Sequence, residues 1–294
     1  MNIGFIGLGA MGLPMTRHII DAGFHVTVTS RRRGPIDMAV SAGAVDGGTP
    51  ADVVRASEIT ILCVPRSADV IDVLDSASPA FGDGKIIVDT STIDPDVEHG
   101  QHERVNAGGA RYLEAPLSGG TVGAEQGSLT LMVGGDAGVL EAARPALDPF
   151  AGRILNVGGP GSGQIVKLCN NLIYAVQTLA TAEAATMAAK SGVDLRKLHD
   201  VITHSTGDCN AVRTRIPFEG VLPDGPASND WKPGFMTDLM AKDLDIVIGF
   251  AARSNTPLFT SGIVRQLLGA ASAAGYGRED FSSMGKIVRA LAGV

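Results

Sequence analysis

The sequence predicts an α/β fold: a mostly parallel sheet, then a long connecting helix, then an all-α C-terminal domain. Three observations carry this. Short β-rich runs alternate with helical patterns up to residue 158, a glycine-rich turn follows the first run directly, and after "GGPGSG" (158–163) the apolar periodicity turns helical and stays so.

Taken in order, "NIGFIG" (2–7) reads as a strand, "AMGLPMTRHIIDAG" (10–23) as a helix stopped by Gly23, and "HVTVTS" (25–30) as the next strand. Strands follow at 58–64, 85–91, 111–116, 129–135 and 153–158, with helical stretches at 35–42, 51–57, 67–75 and 95–107. Alternation at this spacing means right-handed βαβ units. From Gln164 to Lys190 no breaker interrupts an Ala-, Leu-, Met- and Thr-rich run, a helix of about 40 Å at about 1.5 Å per residue. Gly192 is its expected stop. Helices are then expected at 194–204, 235–253, 258–274 and 280–292, broken by a Pro-, Gly- and Asp-rich loop at 217–235 that holds the single Trp. The expected organisation is 1–160, a connecting helix 161–190, and 191–294.

Composition narrows the function. The chain has 294 residues, 45% of them hydrophobic and 19% charged, enough to bury a large core. A formal charge of −7 offers no basic footprint for nucleic acid. Cys63, Cys169 and Cys209 make an odd number without a CxxC pair, which favours a reducing compartment, the cytoplasm. "MNIGFIGLG" has neither a basic lead nor a long apolar core, so no signal peptide is expected. No uncharged apolar run reaches the roughly 18 residues of a membrane span.

The first chemical motif is "GLGAMG" (7–12), a G-x-G-x-x-G between a strand and a helix. Gly7 permits a tight turn, Gly9 a close approach of backbone to a pyrophosphate, and Gly12 close packing of helix on strand. Leu8, Ala10 and Met11 complete the cradle, and the helix N-terminus supplies N–H donors. This marks 1–160 as a Rossmann-type dinucleotide-binding domain. After the second strand an acid would favour NAD(H), but the residues are Ser30, Arg31, Arg32 and Arg33. Guanidinium groups suit a 2′-phosphate, so NADP(H) is preferred, with NAD(H) possible.

"GFIGLGAMGLPM" resembles the opening of the β-hydroxyacid dehydrogenases, the group of 3-hydroxyisobutyrate dehydrogenase, tartronate semialdehyde reductase and the glyoxylate/succinic semialdehyde reductases. "DTSTIDP" (89–95), "APLSGG" (115–120), "GSGQIVKLCNN" (161–171) and "KDLDIV" (242–247) are similar to further motifs of that family, in order along the whole chain. The resemblance implies an NAD(P)-dependent oxidoreductase interconverting a small β-hydroxyacid and its semialdehyde or keto form. Lys167 would be its acid/base, with Asn171, one turn on, as a second catalytic group and Asn170 a weaker candidate. Ser118, Gly119 and Gly120 would cradle the substrate carboxylate. Thr92, Val64, Pro65 and Lys242 would line the cofactor.

Physical chemistry runs parallel to this. A lysine with apolar neighbours Ile165, Val166, Leu168 and Cys169 reads otherwise as a core-helix lysine snorkelling to water. Burial disfavours an ammonium, which suits proton transfer. Phe235 and Leu239, at helical spacing before Lys242, are expected near the pocket. Arg66 stands where the family has an acid or Asn. His99 and His102 have i,i+3 spacing but no third ligand, so no metal is expected. A small carboxylate substrate and a homodimer or homotetramer complete the expectation. The alternatives are a catalytically silent dinucleotide-binding sensor or scaffold, and an imine-reductase-like enzyme.

Overall fold

The computed structural model describes residues Met1–Val294, which divide into two compact units, Met1–Lys167 and Leu168–Val294. The boundary falls inside one helix.

The first unit alternates as expected: β1 (Asn2–Ile6), α1 (Gly12–Asp21), β2 (His25–Thr29), α2 (Arg33–Ser41), β3 (Val45–Asp46), α3 (Pro50–Ala56), β4 (Ile59–Leu62), α4 (Ser67–Ala77), β5 (Ile86–Asp89), α5 (Pro95–Ala107) and β6 (Arg111–Glu114). Then come β7 (Leu117–Ser118), α6 (Gly120–Gln126), β8 (Leu129–Gly134), α7 (Ala137–Leu147) and β9 (Ala151–Gly158). The sheet order is β3-β2-β1-β4-β5-β6-β8-β7, with β9 on β8. Ile3 pairs with Val26 on one side and Ile59 on the other, both parallel. Strand order therefore reverses at β1, and the C-terminal ends of β1 and β4 flank the crevice where ligands of such sheets bind. The sheet is mostly parallel; the exceptions are β8 against β6 and β7.

One face of the sheet buries Ile3, Phe5, Met15, Ile19, Leu131 and Phe150; the other buries Ile6, Leu62, Leu74, Ile87 and Tyr112. Strands covered on both faces read as continuous apolar runs, which is why "ITIL" and "IIVD" were legible. Helix α7 was not expected. Asp136 caps it, accepting from the Val139 N–H at 2.9 Å, and Val139, Leu140, Ala143 and Leu147 line its buried face. Pro145 inside it discourages a helical reading.

Helix α8 (Ser162–Lys190) has 29 residues and starts two residues earlier than periodicity predicts. Its threonines sit in the helix by donating to carbonyls four residues back, Thr178 to Tyr174, Thr181 to Gln177 and Thr186 to Ala182. After it come α9 (Leu195–Thr203), α10 (Asn210–Thr214), α11 (Thr237–Arg253), α12 (Ser261–Ala271) and α13 (Met284–Ala292). The second unit's core joins Leu168, Ala175, Met240, Leu244, Leu268, Phe281 and Met284. The 217–235 loop is anchored through Leu222 and Phe218, which pack with Ala185 and Ile216. Helix α12 is shorter than the expected 258–274. It passes into a π turn over Ser272–Tyr276, where Gly275 adopts a φ of 93°. No helix is long and apolar enough to cross a membrane.

Candidate active site

In the first unit the turn after β1 is shaped by its glycines. A Cβ on Gly7 would run into the Cys63 carbonyl, and one on Gly12 into the Gly7 carbonyl and the Phe5 ring. A Cβ on Gly9 would meet nothing within 4 Å. Gly7 and Gly12 are therefore needed by the fold, whereas Gly9 keeps backbone bare towards open space. No side chain caps α1, and its first turn holds no acid. The Leu13 N–H is taken by the Gly9 carbonyl at 3.1 Å and Pro14 has no N–H, so the helix start offers chiefly its positive dipole end. This fits the pyrophosphate of a dinucleotide. Leu8 is buried and donates its N–H to Ser30 Oγ at 3.3 Å, which ties the cradle to the end of β2. Ala10 is exposed and Met11 half-buried.

Beyond β2 the three arginines part company. Arg33 pairs with Asp37 and Asp46. Arg31 is 77% exposed and meets Asp69 of α4 at 2.9 Å. Arg32 is exposed at the start of α2. Next along the sheet edge, the Val64 N–H donates to Ser91 Oγ at 3.0 Å, which joins the Val64-Pro65 turn to the turn carrying Thr92. Arg66 is exposed at the start of α4. Ser118 ends β7, and Gly119 and Gly120 follow with φ of 134° and 62°, opening α6.

The run around Lys167 reverses a simple expectation. Lys167 and Asn171 are 7% and 2% exposed, while Ile165, Val166 and Ile173 are 38%, 39% and 57% exposed. Cys169 is exposed as well. The polar residues face inward and much of the apolar set faces outward, so Lys167 does not snorkel.

In the second unit, Asn171 Nδ2 donates to Asp243 Oδ2 at 2.6 Å, and Asn170 Nδ2 donates to Asn171 Oδ1 at 3.1 Å. Lys242 Nζ lies 2.8 Å from Asp243 Oδ1. One buried carboxylate thus holds both Asn171 and Lys242. Phe235 and Leu239 do not share a helix face: Phe235 precedes α11 and packs edge-on against Phe281, with ring centroids 6.0 Å apart.

Residues 2–159 match the family described as the NAD binding domain of 6-phosphogluconate dehydrogenase. Residues 161–288 match the one described as NAD-binding of NADP-dependent 3-hydroxyisobutyrate dehydrogenase. A probable 3-hydroxyisobutyrate dehydrogenase of Mycobacterium tuberculosis is 40% identical over 259 residues, 85% of either chain. The chain belongs to the β-hydroxyacid dehydrogenase family. An NAD-dependent L-serine dehydrogenase of Pseudomonas aeruginosa is 36% identical, covering 97% of each chain. The solved structure of Mycobacterium tuberculosis 3-hydroxyisobutyrate dehydrogenase with L-serine superposes with a TM-score of 0.92 at 35% identity, covering 98% of this chain and 99% of that one. This β-hydroxyacid dehydrogenase is accordingly an oxidoreductase that uses a nicotinamide dinucleotide.

Several residues of this dehydrogenase escaped the sequence reading. Asp243 lies in "KDLDIV", which by itself gives it no role. Glu114 and Glu98 belong to no motif, and Gln164 lies within "GSGQIVKLCNN" without a role of its own, although an acid inside the apolar run "RYLEAP" and a glutamine three residues before Lys167 are visible signals. Glu114 Oε1 accepts the Gly163 N–H at 2.7 Å, and Gly134 and Gly163 leave the room its carboxyl occupies. Burial pushes its pKa up to about 7, against the lowering effect of the Gly163, Gln164 and Gly161 N–H groups. Burial also holds Glu98 well above the usual carboxylate range, helped by the charges of Asp89 and Glu114.

The residues around 208–215 also acquire places. Arg213 pairs with Asp208, at 2.7 Å, and Asn210 accepts from Thr214. Arg215 pairs with fully buried Asp280 and meets the Tyr174 hydroxyl. His99 is exposed beside Glu103, and His102 lies edge-on to Tyr112.

Proposed function

We propose that this enzyme oxidises a short β-hydroxyacid reversibly, with Lys167 exchanging the hydroxyl proton and NADP(H) as preferred coenzyme. The observation that carries the reading is a lysine only 7% exposed, in the same compact unit as the glycine-rich cradle. Burying an ammonium costs free energy unless partners satisfy it, and a titratable group so placed is a candidate working residue. The coenzyme supplies hydride transfer. Lys167 Nζ takes the proton from the substrate hydroxyl in oxidation and returns it to the carbonyl oxygen in reduction. The Ser118 hydroxyl and the Gly119 and Gly120 N–H groups hold the substrate carboxylate, with positive φ turning those amides into a concavity. Asn171, fixed by Asp243, presents its remaining amide atoms to the substrate, with Asn170 behind it.

The relatives named for 3-hydroxyisobutyrate and L-serine narrow the substrate. Both molecules carry a carboxylate and a primary β-hydroxyl and differ only in the α-carbon substituent. We take that shared skeleton as the substrate class. Arg31 and Arg32 after β2, with no acid between Thr29 and α2, support NADP(H). Lys242 stands beside the coenzyme, and the active form is a homodimer or homotetramer in the cytoplasm.

The test is a panel of three- and four-carbon hydroxyacids with NADP+ and NAD+, following the absorbance of reduced coenzyme. 3-Hydroxyisobutyrate or L-serine turns over, and Lys167→Met lowers kcat by about two orders of magnitude or more, the scale of general acid–base catalysis. Retained turnover in Lys167→Met would remove the acid/base role. Neutralising Arg31 and Arg32 together raises KM for NADP+ far more than for NAD+; equal effects would remove their role in coenzyme choice.

A further inference from the structure

The first turn of α8 is tied to the rest of the first unit by buried side chains that carry no role in the proposed reaction. Gln164 is fully buried. Its Oε1 accepts the Ile93 N–H at 3.1 Å. Its Nε2 donates to the Ser91 carbonyl at 3.0 Å and to Glu98 Oε2 at 3.3 Å. The partners fix the amide's orientation, since a donor faces the oxygen and two acceptors face the nitrogen. Ser91 and Ile93 flank Thr92, and Ser91 Oγ in turn accepts the Val64 N–H. One residue before Gln164, the Gly163 N–H is held by Glu114. Lys167 lies three residues after Gln164, on the adjacent turn of the same helix.

We infer that Gln164 is a positioning residue: it clamps the lysine-bearing helix to the Ser91–Ile93 turn and so fixes Lys167 relative to the coenzyme-side loops. This rests on Lys167 being the acid/base. The clamp is made of directional hydrogen bonds on both sides of Thr92. Apolar packing alone would let α8 slide or rotate by a fraction of an ångström. Proton transfer is sensitive to such a shift, because the donor must reach hydrogen-bond distance of the reacting oxygen. Glu98 is the third point of the clamp, anchored from α5 and shielded from water.

Two substitutions test it. Gln164→Met keeps length and bulk but removes every polar contact. It lowers kcat by about a hundredfold, the penalty expected of a misplaced catalytic group. The Kd for NADP+, measured by fluorescence titration of the folded protein, stays within a few-fold of wild type. The limb of the kcat–pH profile that reports Lys167 also moves. Gln164→Glu provides a second route should the methionine variant fail to fold. A protonated carboxyl retains one donor and one acceptor, whereas an ionised one faces the Ser91 carbonyl and Glu98 with no donor. Asp89 from β5 and Glu114 from β6 lie in the same buried cluster, and their negative charges disfavour ionisation of Glu98, whereas the neutral Tyr112 hydroxyl favours it by hydrogen bonding. Gln164→Glu therefore gains a new limb, kcat falling as pH rises, that wild type lacks.

Wild-type kcat and pH profiles in the folded variants, with only a lowered Tm, would show a structural role and overturn the inference. So would a loss seen solely as weaker NADP+ binding. If Lys167→Met is inactive while both Gln164 variants behave as wild type, this inference alone fails. If Lys167→Met is active, the acid/base reading falls and takes this one with it.

Discussion

The carboxyl of Glu114 accepts an N–H from the first turn of α8, yet burial keeps it protonated up to about pH 7. Its ordinary pKa is 4.5, so the folded state binds this proton more tightly than the unfolded chain. The stability Glu114 contributes is full below about pH 4.5 and is lost as pH rises through about 7. The loss approaches about 3 kcal/mol. Glutamine at this position cannot ionise and keeps an acceptor for Gly163. Urea unfolding of wild type and Glu114→Gln between pH 5 and 8 should therefore show wild type weakening relative to the variant as pH rises. Parallel curves would mean that Glu114 ionises freely. Asp243 is buried between Lys242 and Asn171. Asp243→Ala strands the Asn171 amide, and removal of such a charged partner costs about 1–3 kcal/mol. A fall in Tm accompanied by reduced kcat is the expected outcome; unchanged kcat would separate Asn171 from the reaction.

At the scale of elements, the glycines of the β1–α1 turn divide by what their absent side chains would touch. Gly7→Ala drives a methyl into the Cys63 carbonyl and forces a side chain into a φ of 103°. It should lower Tm sharply. Gly9→Ala meets nothing in the protein, so Tm should stay near wild type while the Kd for coenzyme rises at least tenfold. A stability loss at Gly9 as large as at Gly7 would contradict the division. Such elements explain what the sequence made legible. The βαβ order, the glycine turn and the long helix follow from local periodicity and from residues with one conformational purpose. Helix α7 escaped because Pro145 masks its apolar face, and β7 because two residues carry no periodicity. In the run around Lys167, resemblance to the family motif singled out Lys167 and Asn171 as candidates. Their burial goes with that role, but the outward facing of Ile165, Val166 and Ile173 could not be read, because apolar residues there advertise a core face. The Gln164 clamp was hidden for another reason: its partners lie 66 to 73 residues away in sequence, and hydrogen bonds at that separation leave no periodic trace.

At the scale of the whole molecule, coenzyme binding should register first in the Met1–Lys167 unit, which contains the cradle, the Arg31–Arg32 turn, the Val64-Pro65 turn and Thr92. A ligand that binds only the folded state adds about 2.7 kcal/mol at 100 times its Kd. That increment should appear as slowed amide exchange, largest where local opening would release the ligand. Hydrogen exchange with saturating NADP+ should thus protect peptides over 7–13, 30–34, 63–67 and 91–94. The second unit supplies the more demanding comparison. Lys242 is matched to a coenzyme-side lysine by resemblance, yet here it pairs with Asp243. If it serves the coenzyme, the peptide spanning Thr237–Asp243 gains protection with NADP+, and Lys242→Ala weakens coenzyme binding while leaving the exchange of unliganded protein unaltered. If Lys242 instead serves Asp243, that peptide ignores NADP+, and Lys242→Ala speeds its exchange without any coenzyme present.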